Sequence, residues 1–326
     1  MRLGLLQRNH QPYQELGNQM SHSFPATLLA TTLLLAASAA HSQAPAAQHV
    51  STGIDASDDS DGFREYKPWA QYEAANGWGL RAAWQHYSIN DWSATGRSLY
   101  LTHRAQQGAW SSNGRVGLNR SAGHSHLVGA WDGMYQFTAQ TAAGMSVERD
   151  VVNSQRGLER GLTATTAVAV LDHQLHPRLS LGLAAGSTWF SDDNRRDVLR
   201  SRWTFTLHEP QGWYAYAITR HYQNSKPYQG AYFAPERFRE AALGLLWKKA
   251  VSDHLVISAN ADWGRQYIEG QGQRLWHWGL YLSSPHRAAI QWKVGISSSK
   301  DHASSLNGGD TSYRYTSAVA HVRIPF

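Results

Sequence analysis

The feature that most constrains this chain is its ending, Thr316-Ser317-Ala318-Val319-Ala320-His321-Val322-Arg323-Ile324-Pro325-Phe326. Counting back by twos from Phe326 gives Ile324, Val322, Ala320, Ala318 and Thr316, a mostly apolar row. Arg323, His321, Val319 and Ser317 stand between them, a mostly polar row. Side chains alternate faces along a strand, so this spacing predicts a strand with one apolar side, one wet side and an aromatic end.

The same alternation recurs upstream. Trp78, Leu80, Ala82, Trp84 and His86 alternate with Gly79, Arg81, Ala83, Gln85 and Tyr87. Trp203, Phe205 and Leu207 alternate with Arg202, Thr204, Thr206 and His208, and the stretches 179–188, 241–248, 255–264 and 287–296 read the same way. No helical period lasts two turns. Short connections fall at Asn76-Gly77 (read as a type I′ hairpin), Gln107-Gly108, Pro210-Gln211-Gly212, Val251-Ser252-Asp253 and Ser284-Pro285-His286. Longer ones, richer in charge and glycine, fall near 190–196, 222–236 and 299–311. Short turns alternating with long loops suit a membrane barrel, and the amphipathic stretches number about 15 to 16. The expected fold class is all-β, a transmembrane antiparallel up-and-down β-barrel of sixteen strands, with fourteen as the alternative.

Composition agrees. The 326 residues include no cysteine, which excludes disulfide scaffolds, thiol catalysis and Cys-ligated zinc. Beyond the N-terminus there are no apolar runs of membrane-helix length, whereas a barrel crosses with about 9–11 residues per strand and hides half of each strand in a polar lumen. The 14 Trp and 15 Tyr suit interfacial girdles. The soluble alternatives are a β-sandwich or a propeller. Against them, the rows hold much Gly, Ala and Ser and too few Leu and Ile for a packed core of this size.

The final strand resembles those of Gram-negative outer-membrane barrels, which commonly finish on Phe. That resemblance implies an outer-membrane location among lipids and lipopolysaccharide, with Phe326 as an assembly signal for the barrel assembly machinery. At the other end, residues 26–37 form a short apolar core and 38–44 a small-residue cleavage region. Residues 1–44 are therefore expected to be a cleaved export signal, cut at Ala40 or Ala44 and starting at Met1 or Met20. Residues 45–62, with an acidic run from Asp55 to Asp61, are expected to be a short periplasmic segment or a first strand, and 63–326 the barrel.

Chemistry is sparse along the chain. There is no G-x-S-x-G, no phosphate-binding glycine loop and no paired-His zinc motif. His124-Ser125-His126 reads as polar lumen wall or loop. The net charge of +6 has no basic cluster beyond pairs such as Arg195-Arg196 and Lys248-Lys249, so nucleic acid is not an expected partner. No catalytic activity, metal or cofactor is expected. By alternation Arg81, Tyr87, Arg200, Arg202, Asp262 and Lys293 point inward.

The most distinctive segment is Tyr232-Phe233-Ala234-Pro235-Glu236-Arg237-Phe238-Arg239-Glu240. It resembles the Tyr-Phe-Ser-Pro or Tyr-Tyr-Asn-Pro segment in the barrel domains of exopolysaccharide exporters, the cellulose-export and poly-N-acetylglucosamine-export porins, and their stand-alone relatives. Ala234 departs from the usual Ser or Asn. Those exporters also carry a long tetratricopeptide region that residues 45–62 cannot hold. The resemblance implies a pore for secreted polysaccharide, guided by a separate periplasmic synthesis or export partner. Tyr232, Phe233, Pro235, Glu236 and Arg237 then become polymer-contact candidates on a loop able to fold inward. The rival functions are a general or sugar-selective porin and an integral lipid-modifying enzyme.

Overall fold

The alternating stretches become sixteen strands in a computed structural model that describes residues 48–301 and 313–326. The first eight are β1 His49–Asp59, β2 Arg64–Glu73, β3 Trp78–Ile89, β4 Trp92–Gln107, β5 Trp110–Ser121, β6 His124–Thr138, β7 Thr141–Val151 and β8 Thr163–His176. The rest are β9 Leu179–Phe190, β10 Arg195–His208, β11 Trp213–Asn224, β12 Arg237–Ser252, β13 Leu255–Ile268, β14 Gln271–Ser283, β15 Gln291–Asp301 and β16 Tyr313–Pro325. Each pairs antiparallel with its sequence neighbours, and β1 pairs with β16, so the sheet is a closed barrel without an edge. Closure satisfies every strand's backbone groups, which a bilayer demands.

Several boundaries differ from the sequence reading. The barrel begins at His49, because the segment before Phe63 supplies β1. Its register with β16 runs from His49↔Pro325 to Asp59↔Tyr315. The seam is strapped at one end by His49, Glu73 and Arg323: His49 Nε2 is 3.2 Å and Arg323 3.8 Å from the Glu73 carboxylate. Ala288 and Ile290 lie in the connection before β15 rather than in a strand, because the chain turns after Pro285. At Asn76-Gly77 only Gly77 has positive φ, +83°, so the turn is not type I′, which needs it at both central residues. The export-signal reading falls outside the described residues.

The two faces of the wall separate cleanly. Leu118, Leu243 and Trp263 are 65%, 70% and 73% exposed. Their outward rows also carry Leu80, Leu99, Leu101, Leu199 and Leu280, with Trp78 and Trp213 at one rim and Trp189 at the other. Dozens of large apolar side chains facing out from a closed barrel form the belt that acyl chains cover. The predicted C-terminal row keeps its phase: Ile324 and Phe326 face out, and Ser317 is buried within. The Phe326 backbone N–H donates to the Gln48 carbonyl at 2.9 Å.

One rim carries the termini and short turns, and the other carries the longer loops, including 152–162 and 225–236.

Candidate functional site: the lumen and its loop mouth

The inward rows of β10 to β15 build the middle of the lumen. Arg200 stands opposite Arg220 on β11, and Arg220 stands opposite Glu240 on β12. The Arg220 guanidinium donates to the Glu240 carboxylate, so this buried acid is neutralised by one arginine. Arg202 lies over the face of Tyr216, 4.2 Å from its centroid. Tyr216 donates its hydroxyl to Asp262 Oδ2 at 2.8 Å, and Asp262 Oδ1 meets His277 Nδ1 at 2.7 Å. The tyrosine reaches that carboxylate by crossing Gly244 on the strand between them. A Cβ at Gly244 would sit 2.4 Å from the Tyr216 ring. Further round, Lys293 Nζ rests 4.7 Å over the Tyr281 ring.

Across the lumen Arg81 lies 4.1 Å over Trp69, and Arg115 pairs with Glu148 at 2.8 Å. Asp262, His277 and Ser299 occupy one row on three successive strands, an order that suggests a hydrolase triad. Ser299 Oγ, however, is buried and has no hydrogen-bond partner, the imidazole included.

The loop mouth is built differently. Loop 225–236 turns inward. Tyr232 stacks on Phe190 with centroids 4.1 Å apart and planes at 9°, and Ala231, Ala234, Val152 and Leu162 complete an apolar cluster. Beneath it Tyr222 stacks on Phe238 at 4.4 Å, and Phe233 meets both rings edge-on. The loop's carbonyls are held by side chains: Arg196 donates to Phe233 O, and Asn224 Nδ2 donates to Pro235 O at 2.5 Å. The Tyr232 hydroxyl donates to Asp192 on the neighbouring loop at 3.0 Å and accepts from Asn194 Nδ2 at 3.1 Å. Burial pushes the Tyr232 phenol above its usual pKa, and the bond to Asp192 adds to this, so it stays a donor at neutral pH.

Loop 152–162 meets the first loop over the mouth. It contains one short helix, α1 Gln155–Glu159, capped by Ser154, whose hydroxyl accepts from Gly157 N at 3.1 Å. The same hydroxyl donates to Ala231 O, and Arg156 donates to Gly230 O at 3.2 Å. Asn153 Nδ2 donates to Glu65 of β2 at 2.6 Å. β2 and β7 are five strands apart in the barrel order, so this bond reaches across the opening. His124 Nε2, at 3.0 Å from Glu159 O, ties the loop to β6.

Arg81, Arg200, Arg202, Asp262 and Lys293 all face the lumen, as alternation predicted. Tyr87 also points inward, but it is buried and stacks against Phe63 at 6.1 Å. Tyr232, Phe233 and Pro235 fold into the mouth. Glu236 and Arg237 do not line the lumen: both are exposed at the rim, and Arg237 lies on the outward row because its neighbour Phe238 is fully buried within. Sequence reading missed loop 152–162. The available signal was local: Ser154 as a helix cap, then Leu158 and Leu162, two apolar residues out of strand phase.

No family model and no curated protein matches the chain by sequence. Solved structures match by fold. A bacterial polysaccharide outer membrane secretin superimposes with a TM-score of 0.69 at 12% identity, covering 87% of this chain and 100% of the other. OccK7 of Pseudomonas aeruginosa gives 0.45 at 9% identity, over 86% of this chain and 98% of that one. CdiB from Acinetobacter baumannii gives 0.48 at 9%, over 86% and 61%. The first of these matches the barrel architecture throughout, and the fold is that of outer-membrane β-barrels.

Proposed function

We propose that this barrel sits in the outer membrane and passes a polar polymer, secreted polysaccharide being the cargo. The observation that carries the reading is the lumen wall. Charged groups lie on aromatic faces at Trp69, Tyr216 and Tyr281, with carboxylates, amides and hydroxyls between them. A polymer sliding along such a wall exchanges many weak contacts and is trapped by none. The fold match to a bacterial polysaccharide outer membrane secretin, over that structure's whole length, supports the same reading.

In this account the turn rim faces the periplasm, where a separate synthesis or export partner delivers the chain, and the loop rim faces outward among lipopolysaccharide. Phe326 marks the last strand for the barrel assembly machinery. The test is single-channel conductance in planar bilayers with oligosaccharides added. Passage predicts brief current interruptions that lengthen with oligomer length. A conducting barrel whose current no oligosaccharide interrupts would contradict it.

A further inference from the structure

We infer that the wall over β9 is a binding site for the carboxylate of an acidic sugar unit; this rests on the passage reading above. The inward residues of β9 at mid-height are Gly182, Ala184 and Gly186. They form a floor without bulk. On one side Arg202 and Arg200 of β10 stand in register with Gly182 and Ala184, and on the other stand Asp172 and Val170 of β8. A Cβ added at Gly182 would meet only Asp172 Oδ1, at 3.1 Å, and a backbone oxygen at 3.9 Å, so the space above Gly182 is bounded by the Asp172 carboxylate alone. Gly182, Ala184, Asp172, Val170, Arg200 and Arg202 line one continuous cavity.

The two arginines make the trough selective. Arg200 has no hydrogen bond, ion pair or ring contact among the described residues, and Arg202 has only the Tyr216 face. The Nε of each is buried without an acceptor. The nearby acids are committed elsewhere, Glu240 to Arg220 and Asp262 to Tyr216 and His277. Two guanidinium groups two residues apart on one strand face lie about 6.5 Å apart at the backbone. Buried donors without acceptors are costly, and a planar carboxylate satisfies guanidinium donors two at a time. Asp172 on the far wall has its Oδ2 buried without a hydrogen-bond partner, an acceptor suited to a sugar hydroxyl. A carboxylate toward β10 and hydroxyls toward β8 describe a uronate unit better than a neutral sugar.

The test uses the full chain in planar bilayers with oligogalacturonate and malto-oligosaccharide of equal length, and inorganic phosphate as a third probe. Oligogalacturonate is expected to interrupt the current at about tenfold lower concentration than the neutral oligomer. In the double variant Arg200→Gln, Arg202→Gln that advantage disappears, and in Arg200→Gln alone, which leaves Arg202 on the Tyr216 face, it falls while the neutral block stays. Arg195→Gln, on the outward row, changes neither. Equal block by both oligomers in the parent, or an acidic advantage that survives in the double variant, overturns the site but leaves passage standing. Phosphate competing as well as oligogalacturonate overturns the sugar assignment. Loss of all oligosaccharide block from a conducting barrel instead contradicts passage. Tryptophan fluorescence in detergent reads the same binding ratio without current, and Arg200→Gln alone serves where the double variant does not fold.

Discussion

The two ends of this barrel solve opposite problems. At the turn rim, connections are short, the lumen cavity reaches Ala139 and Gln140 in the turn between β6 and β7, and no loop folds inward among the described residues. At the loop rim, residues 152–162 and 225–236 meet over the opening, packed on Phe190 and Tyr222 and bolted by Ser154, Arg156, Arg196 and Asn224. The difference teaches where closure resides. The wall is a continuous hydrogen-bonded sheet and cannot close, so two loops carry it with aromatic stacking and side chains that hold their carbonyls.

The sharpest way to break that contrast is to replace residues 226–234 with a short Gly-Ser link. Conductance then rises several-fold, the largest effect expected, and an unchanged current would show that the loops do not close the mouth. Glu240→Ala removes the carboxylate that neutralises Arg220 just below the aromatic layer and costs about 3–5 kcal/mol of stability, measured by urea unfolding in detergent. Asp172→Asn, which removes a charge with no partner among the described residues, costs nothing by the same measurement. Leu243→Arg on the lipid face belongs to neither mouth and costs about 2–4 kcal/mol. The smallest loss expected, short of the null result at Asp172, is that of Tyr232→Ala. Losing the Phe190 stack weakens the loop by about 1 kcal/mol beyond the lost area, seen as flickering openings, whereas turn-rim Tyr281→Ala produces none.

Much of the wall was legible in the sequence, because a period of two leaves each residue only two options. Once the outward rows of Trp78, Trp203, Trp263 and Val294 are placed, Arg81, Arg200, Arg202, Asp262 and Lys293 on the same strands can only face inward. The sixteen strands follow from the same count. The loops obey no period. Tyr232 and Pro235 stood out by residue type, but nothing local says that Asn153 reaches Glu65 or that Ser154 meets Ala231, since both contacts are set by closure of the whole barrel. Arg237 was misplaced because strand phase begins there, one residue before Phe238. β1 was obscured by the acids Asp55, Asp58 and Asp59. Asp55 and Asp59 belong to the inward row, where Asp59 accepts from Tyr313 at 2.9 Å.

The central claim is that one row of every strand lines a water-filled lumen and the other meets acyl chains. The cysteine-free chain makes this directly measurable with single cysteines on β13 at Asn260, which faces in, and at Ala261, which faces out. In sealed proteoliposomes a membrane-impermeant maleimide should label Asn260→Cys and leave Ala261→Cys untouched. Equal labelling at the two positions, or labelling of Ala261→Cys alone, would contradict the account.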